Sequence, residues 1–136
     1  MTTYINTNEA LKIRAEKVLS ILMHKICQNM TRQPKWYNFC FNDYDYFTEI
    51  NNHKYPFASL DIEPMTQAEC IELENLTKET LKEWNITKYF KIKIYKSNWF
   101  NEALKDFDTC FSIRFNKKIK IEEIEKLITV LELKLT

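Results

Sequence analysis

The stretch ITKYFKIKIYKSNWFNEALKDFDTCFSIRF, residues 86–115, contains the two clearest strand patterns in the chain. Apolar and polar side chains alternate from Ile86 to Lys96, with a break at Lys88, and again from Thr109 to Phe115. Such alternation predicts strands with one buried face. The inward side chains would be Ile86, Phe90, Ile92, Ile94, Phe111, Ile113 and Phe115. Between the strands, apolar spacing predicts a short helical link that uses Trp99, Phe100, Ala103, Leu104 and Phe107.

Two more strands and three long helices are predicted on either side of this stretch. The strands cover Trp36–Asn42 and Phe57–Ile62, and Pro64 ends the second because proline cannot donate to a strand ladder. Apolar stripes at helical spacing predict helices over about residues 8–29, 66–84 and 121–135.

Residues typical of helix ends support these boundaries. Thr66 with Glu69 and Asn6 with Glu9 both have the spacing of a capping box, in which side chain and backbone satisfy each other's hydrogen bonds. Asn85 is suited to the left-handed conformation that ends many helices, a position that glycine usually fills.

The element order is therefore α-β-β-α-β-(short α)-β-α, and residues 1–136 form a single domain. Each strand has one apolar face and each long helix one apolar stripe. These faces are all buried by a two-layer α+β fold, with a single, mostly antiparallel four-stranded sheet and the three long helices on one face. The other face of the sheet would be partly open.

Composition excludes several classes of function. The chain has no glycine, so it contains no P-loop, no dinucleotide-binding GxGxxG turn and no nucleophile elbow. Four widely spaced cysteines and the lack of a long apolar run predict reduced thiols in a cytoplasmic protein without a membrane span. The abundance of Lys, Ile and Asn, whose codons are AT-rich, indicates an AT-rich genome and is compatible with a mobile element.

No residue pattern indicates catalysis, a cofactor or a metal. The two histidines and four cysteines form no recognisable triad or zinc spacing. An acidic group around His53, with Asp43, Asp45 and Glu49, could offer oxygen ligands to a cation, but its spacing fits a solvated loop better. We therefore expect a protein that is not an enzyme.

The outward sheet face is one candidate site. Residues 85–120 hold nine Lys and Arg against three Asp and Glu, although the whole chain has a net charge of only +1. Lysines interleaved with tyrosines on a sheet suit single-stranded nucleic acid, with amines for phosphates and rings for bases. The residues concerned are Tyr89, Lys91, Lys93, Tyr95 and Arg114. A plain solvated strand face is the alternative explanation.

The other candidate is a protein-binding surface. Residues 59–84 hold seven Asp and Glu against two Lys, and this acidic helix would suit a basic partner. Aromatic residues in expected loops would add contact area at low entropic cost. The predicted partner-binding residues are Tyr44, Tyr46, Phe47, Glu72, Glu79, Glu83, Trp99 and Phe100. The favoured hypothesis is a small protein-binding module, of inhibitor or immunity type, that blocks another macromolecule; the alternative is a nucleic-acid-binding protein.

Overall fold

The structure is a computed structural model that describes residues 2–31, 38–41, 59–103, 105–116 and 118–135. For residues 2–9, 38–41, 59–65, 97 and 99 it describes the backbone alone. The elements, in chain order, are α1 (Thr2–Cys27), β1 (Asn38–Phe41), β2 (Ser59–Met65), α2 (Gln67–Glu83), a 3-10 turn (Thr87–Tyr89), β3 (Phe90–Asn101), β4 (Asp106–Phe115) and α3 (Ile121–Leu135).

The strands pair in the order β1-β2-β4-β3, and every pairing is antiparallel. The predicted class, α+β with three long helices and an antiparallel sheet, is confirmed. Buried side chains of all three helices form one core with Phe90, Phe111, Ile113 and Phe115, which are the predicted inward residues of β3 and β4. Full burial of a phenylalanine contributes about 1.5–3 kcal/mol to stability, so the contact between helices and sheet is strongly stabilising.

The second helix has the ends that the sequence predicts. The Thr66 hydroxyl accepts a hydrogen bond from the Glu69 amide at 3.1 Å, and the Glu69 carboxylate accepts one from the Thr66 amide at 3.2 Å. At the other end Asn85 is left-handed, with φ 59°. Its amide donates to the Lys82 carbonyl and the Ile86 amide donates to the Leu81 carbonyl, which completes a Schellman motif.

The predicted short helix between the last two strands is wrong. β3 continues to Asn101, and β4 begins at Asp106, so a tight turn joins the two strands as a hairpin. The Asn101 side-chain oxygen accepts a hydrogen bond from the Ala103 amide at 3.0 Å, and Lys105 takes a left-handed conformation with φ 54°. Asparagine and lysine thus form, at some conformational cost, a turn for which glycine is the usual residue.

Three boundaries also differ from prediction. α1 begins at Thr2, so Asn6 lies inside the helix and not at its start. β2 continues past Pro64, where the register with β4 shifts, because a bulge is one of the few strand positions that tolerate proline. The break in alternation at Lys88 is the 3-10 turn that precedes β3.

Among the described residues, no helix is both long enough and apolar enough to cross a bilayer.

Candidate functional site

The outward side of the β3–β4 ladder gathers basic and aromatic side chains, and we call it the basic face: Lys91, Lys93, Tyr95 and Arg114. Lys91 is the register partner of Arg114, and Lys93 is that of Ser112. Partners in an antiparallel ladder project from the same side of the sheet. The two lysines are exposed, and Tyr95 and Arg114 are half-buried. The structure therefore brings together four of the five residues predicted to contact nucleic acid.

The fifth residue, Tyr89, does not join the basic face. It lies in the 3-10 turn before β3, and its ring packs against the hydrophobic core. The ammonium of Lys88 sits 5.1 Å from the centroid of that ring. The sequence pattern misplaced Tyr89 because strand alternation was extended through a segment that is not a strand.

The basic face is not uniformly open. Cys110, on the same side of β4 as Arg114, has 0% of its surface exposed. The Nη1 atom of Arg114 is also buried, and it has no hydrogen-bond partner among the described residues.

Beyond the last β2 partner, the hairpin extends as a two-stranded arm, defined here as residues 100–107. β2 aligns with β4 only as far as Thr109, whereas β3 and β4 remain paired at Phe100 with Phe107 and at Asn101 with Asp106. The two phenylalanine rings pack edge to face, with centroids 5.5 Å apart and an interplanar angle of 85°. Phe100 is 50% exposed and Phe107 is 44% exposed. The arm therefore presents an aromatic pair to solvent.

Polar contacts hold the arm in shape. The Lys96 ammonium donates to the Asp106 carboxylate at 3.0 Å, and the side-chain amide of Asn101 donates to the Asp108 carboxylate at 2.9 Å. The Asp106 carboxylate also accepts a hydrogen bond from the Phe107 amide at 2.7 Å. These interactions, above all the hydrogen bond from Lys96, lower the pKa of Asp106 below its usual value. The aromatic pair is thus carried by a fixed turn, and less entropy is lost when a partner orders it.

The acidic helix α2 divides into two parts. Glu72 is half-buried, and its carboxylate accepts hydrogen bonds from the amide and hydroxyl of Thr31, just after α1. Glu79 and Glu83 are exposed and lie one helical turn apart. Glu72 therefore ties α1 to α2, whereas Glu79 and Glu83 expose their acidic side chains in the described part of the chain.

Several predicted positions fall outside what the structure describes. Tyr44, Tyr46 and Phe47, with the acidic group around His53, lie outside the described residues, and Trp99 is described only as part of the β3 backbone. Phe107 was missed as a surface residue because its spacing placed it in the predicted helical link. The alternation Phe107, Thr109, Phe111, Ile113 could have indicated that the strand begins earlier.

The described residues form neither a metal site nor a disulfide. They contain no group of three or more histidine, cysteine or carboxylate side chains that could hold a metal ion. Cys27, Cys70 and Cys110 are buried and form no disulfide among the described residues, and burial raises the pKa of Cys70 to about 11, which leaves it unreactive at neutral pH. Comparison with protein-family models, curated proteins and solved structures finds no match to this chain.

Proposed function

We propose that this protein is a small cytoplasmic protein-binding module, without enzymatic activity, that contacts its partner through the arm. The observation that carries this proposal is the edge-to-face pair of Phe100 and Phe107, each close to half exposed. Single exposed apolar residues are ordinary on protein surfaces, but adjacent exposed aromatic rings are typical of interface anchors.

The arm also supplies rigidity, which supports the same proposal. Aromatic side chains have few rotatable bonds, and the Lys96–Asp106 pair fixes the strands beneath them. A partner that buries both rings would therefore gain apolar contact at low conformational cost.

The finer proposal is an inhibitor or immunity-type protein, in which the acidic surface of α2 helps to select a basic partner. Glu79 and Glu83 are available for this role because they are exposed, whereas Glu72 is engaged with Thr31. Exposed charges of this kind accelerate association and aid selection more than they add affinity.

Affinity capture from the native host tests the role of the arm. The wild-type chain is compared with a Phe100→Ser/Phe107→Ser variant and with Ile13→Ser, a control on α1 where the side chain is 65% exposed. We expect one partner to be retained by wild type and Ile13→Ser and lost by the arm variant, with all three giving the same circular dichroism spectrum. Equal retention by the arm variant would contradict the proposal.

The alternative function, single-stranded nucleic-acid binding, is favoured by the exposed Lys91 and Lys93 beside Arg114. Non-specific binders reach dissociation constants of only about 10⁻⁴–10⁻⁶ M at physiological salt. For this chain we expect no shift of a labelled single strand below about 10 µM protein, because its net charge is only +1. A sub-micromolar shift that is lost in Lys91→Glu/Lys93→Glu would reverse the order of the two functions.

A further inference from the structure

β3 is the outermost strand of the sheet on the side away from β1, and no described strand lies beside its outer edge. The strand order is β1-β2-β4-β3, so β3 pairs with β4 on one side only. β3 is also the longest of the described strands, with 12 residues. A long free edge presents unpaired backbone donors and acceptors, to which another chain can add a strand.

The hydrogen-bonding pattern shows which backbone groups face this edge. The Asn116 amide donates to the Tyr89 carbonyl at 2.7 Å, so these residues form a hydrogen-bonded pair where the β3–β4 ladder begins. From there the register continues without a shift as far as Lys96. Hydrogen-bonded and non-hydrogen-bonded pairs alternate along an antiparallel ladder, so the amides and carbonyls of Ile92 and Ile94 point away from β4.

The helices cover β4 more completely than they cover β3. Phe111 and Ile113 on β4 have 0% of their surface exposed. Their register partners on β3, Ile94 and Ile92, project from the same side of the sheet but are only half-buried. An added strand with apolar side chains on this side would cover the two isoleucines.

On the opposite side of the sheet, the same stretch of β3 carries positive charge. Lys91 and Lys93 are exposed, and neither forms an ion pair with a described side chain. Residues of an added antiparallel strand that lie opposite these lysines would form non-hydrogen-bonded pairs. Such pairs are the closer of the two kinds, with Cα atoms about 4.5 Å apart, so carboxylates at these positions would form cross-strand ion pairs.

We propose that the outer edge of β3 binds an extended segment of a partner protein as an additional antiparallel strand, in which carboxylate and apolar side chains alternate. The carboxylates pair with Lys91 and Lys93, and the apolar side chains cover Ile92 and Ile94. A second copy of this chain fits the edge less well, because self-pairing of residues 91–93 places lysine opposite lysine. The edge is separate from the aromatic pair of the arm, so this inference goes beyond the proposed function and can fail without it.

Nuclear magnetic resonance titration of the full chain tests the proposal. The probe is a short capped peptide of alternating glutamate and valine, and the control peptide has the same composition with the two residue types in separate blocks. We expect the alternating peptide to shift the amide signals of residues 91–94 saturably and to slow hydrogen exchange at the Ile92 and Ile94 amides. The block peptide should do neither. Unchanged exchange at these two amides, or equal effects of both peptides, would overturn the proposal.

N-methylated peptides test the backbone contact without changing the protein. In the added strand the valine amides face β3, whereas the glutamate amides face solvent. Methylation of every valine nitrogen should therefore abolish binding, and methylation of every glutamate nitrogen should largely preserve it. Equal binding of the two methylated peptides would show that the peptide does not add to the sheet as a strand.

Reversal of charge tests the choice of partner. Lys91→Glu/Lys93→Glu should weaken binding of the glutamate–valine peptide about tenfold and should gain binding of a lysine–valine peptide, because attraction and repulsion exchange places. The control Lys82→Glu/Lys126→Glu makes the same change in net charge at exposed helix positions and should have no effect.

Two other occupants would also be recognised. Protection of the Ile92 and Ile94 amides that rises with protein concentration, without peptide, would assign the edge to a second copy of this chain. Shifts at residues 91–94 with a short oligothymidylate and none with the alternating peptide would assign it to nucleic acid. Either result would overturn the proposal.

Discussion

The base of the β3–β4 hairpin, which is the end that contains Phe90 and Phe115, packs against the helices, and β4 pairs there with β2 as well as β3. In the arm, only β3 and β4 pair among the described residues. Both ends carry a cross-strand pair of phenylalanines. At the base, Phe90 and Phe115 are buried in the core with centroids 4.9 Å apart. In the arm, Phe100 and Phe107 form a similar pair and stay half exposed. A pair of phenylalanines therefore stabilises the fold at one end, and another pair remains exposed at the other.

The largest expected difference between the two ends is in stability. Phe111→Ala at the base removes a fully buried ring from the core and should lower the free energy of unfolding by about 3–5 kcal/mol. Phe107→Ala in the arm should lower it by about 1 kcal/mol or less, because its ring is exposed and has mainly one aromatic partner. Urea denaturation followed by circular dichroism measures both values. Equal losses would show that the arm belongs to the cooperative core.

Amide exchange sharpens the comparison without changing the sequence. Base amides, such as those of Phe111 and Ile113, should exchange only on global unfolding, since Phe111, Ile113 and Phe115 are buried there. Amides of the arm should exchange by local opening, with a free energy a few kcal/mol lower, because little apolar surface holds the two strands. Hydrogen exchange read by nuclear magnetic resonance distinguishes these cases. Uniform protection along the hairpin would indicate that the arm is stabilised by more than β3 and β4.

The parts of the fold that the sequence predicted correctly depend on short-range chemistry. Both ends of α2 follow from Thr66, Glu69 and Asn85, whose partners lie within a few residues. The apolar alternation of β3 and β4 likewise identified the core residues Phe111 and Ile113, because burial of one face leaves a period of two in the sequence.

The errors arose where local patterns allow two structures. A few apolar residues between Trp99 and Phe107 fit a helix as well as a strand, and no glycine marks the turn that separates β3 from β4. The role of Glu72 depends on Thr31, 41 residues earlier. Long-range contacts of this kind leave no trace in the spacing of neighbouring residues.

Arg114 allows a smaller test of the base alone. Replacing it with methionine keeps most of the side-chain volume and removes the buried Nη1, which has no partner among the described residues, and the repulsion with Lys91. We expect Arg114→Met to leave stability unchanged or to raise it by up to about 1 kcal/mol, since apolar replacement of an unsatisfied buried group is often neutral or favourable. Thermal unfolding in phosphate-free buffer measures the change. A clear loss of stability would show that Arg114 supports the fold.

The smallest effect concerns acidity and the arm. The pKa of Asp106 is lowered by its hydrogen bond from Lys96, so the carboxylate binds a proton less readily in the folded arm than in the unfolded chain. Its contribution is therefore present above the unfolded value of 3.8 and is lost as the pH falls through the lower folded value. The ring-proton shifts of Phe107, which depend on its edge-to-face contact with Phe100, should move towards unfolded values in that acidic range.

In Asp106→Asn, the ring-proton shifts of Phe107 should already be displaced towards unfolded values at neutral pH. Acidification should then cause no further change through position 106. Lys96→Gln should do the same, because either substitution removes the ion pair at the start of the arm. The Arg14–Glu132 pair between α1 and α3 lowers the pKa of Glu132 as well, so global stability also declines in acid and must be followed separately through the core. If the Phe107 shifts followed only the core signal, the Lys96–Asp106 pair would have no independent role, and the arm would owe its shape to the turn at Asn101 and Lys105.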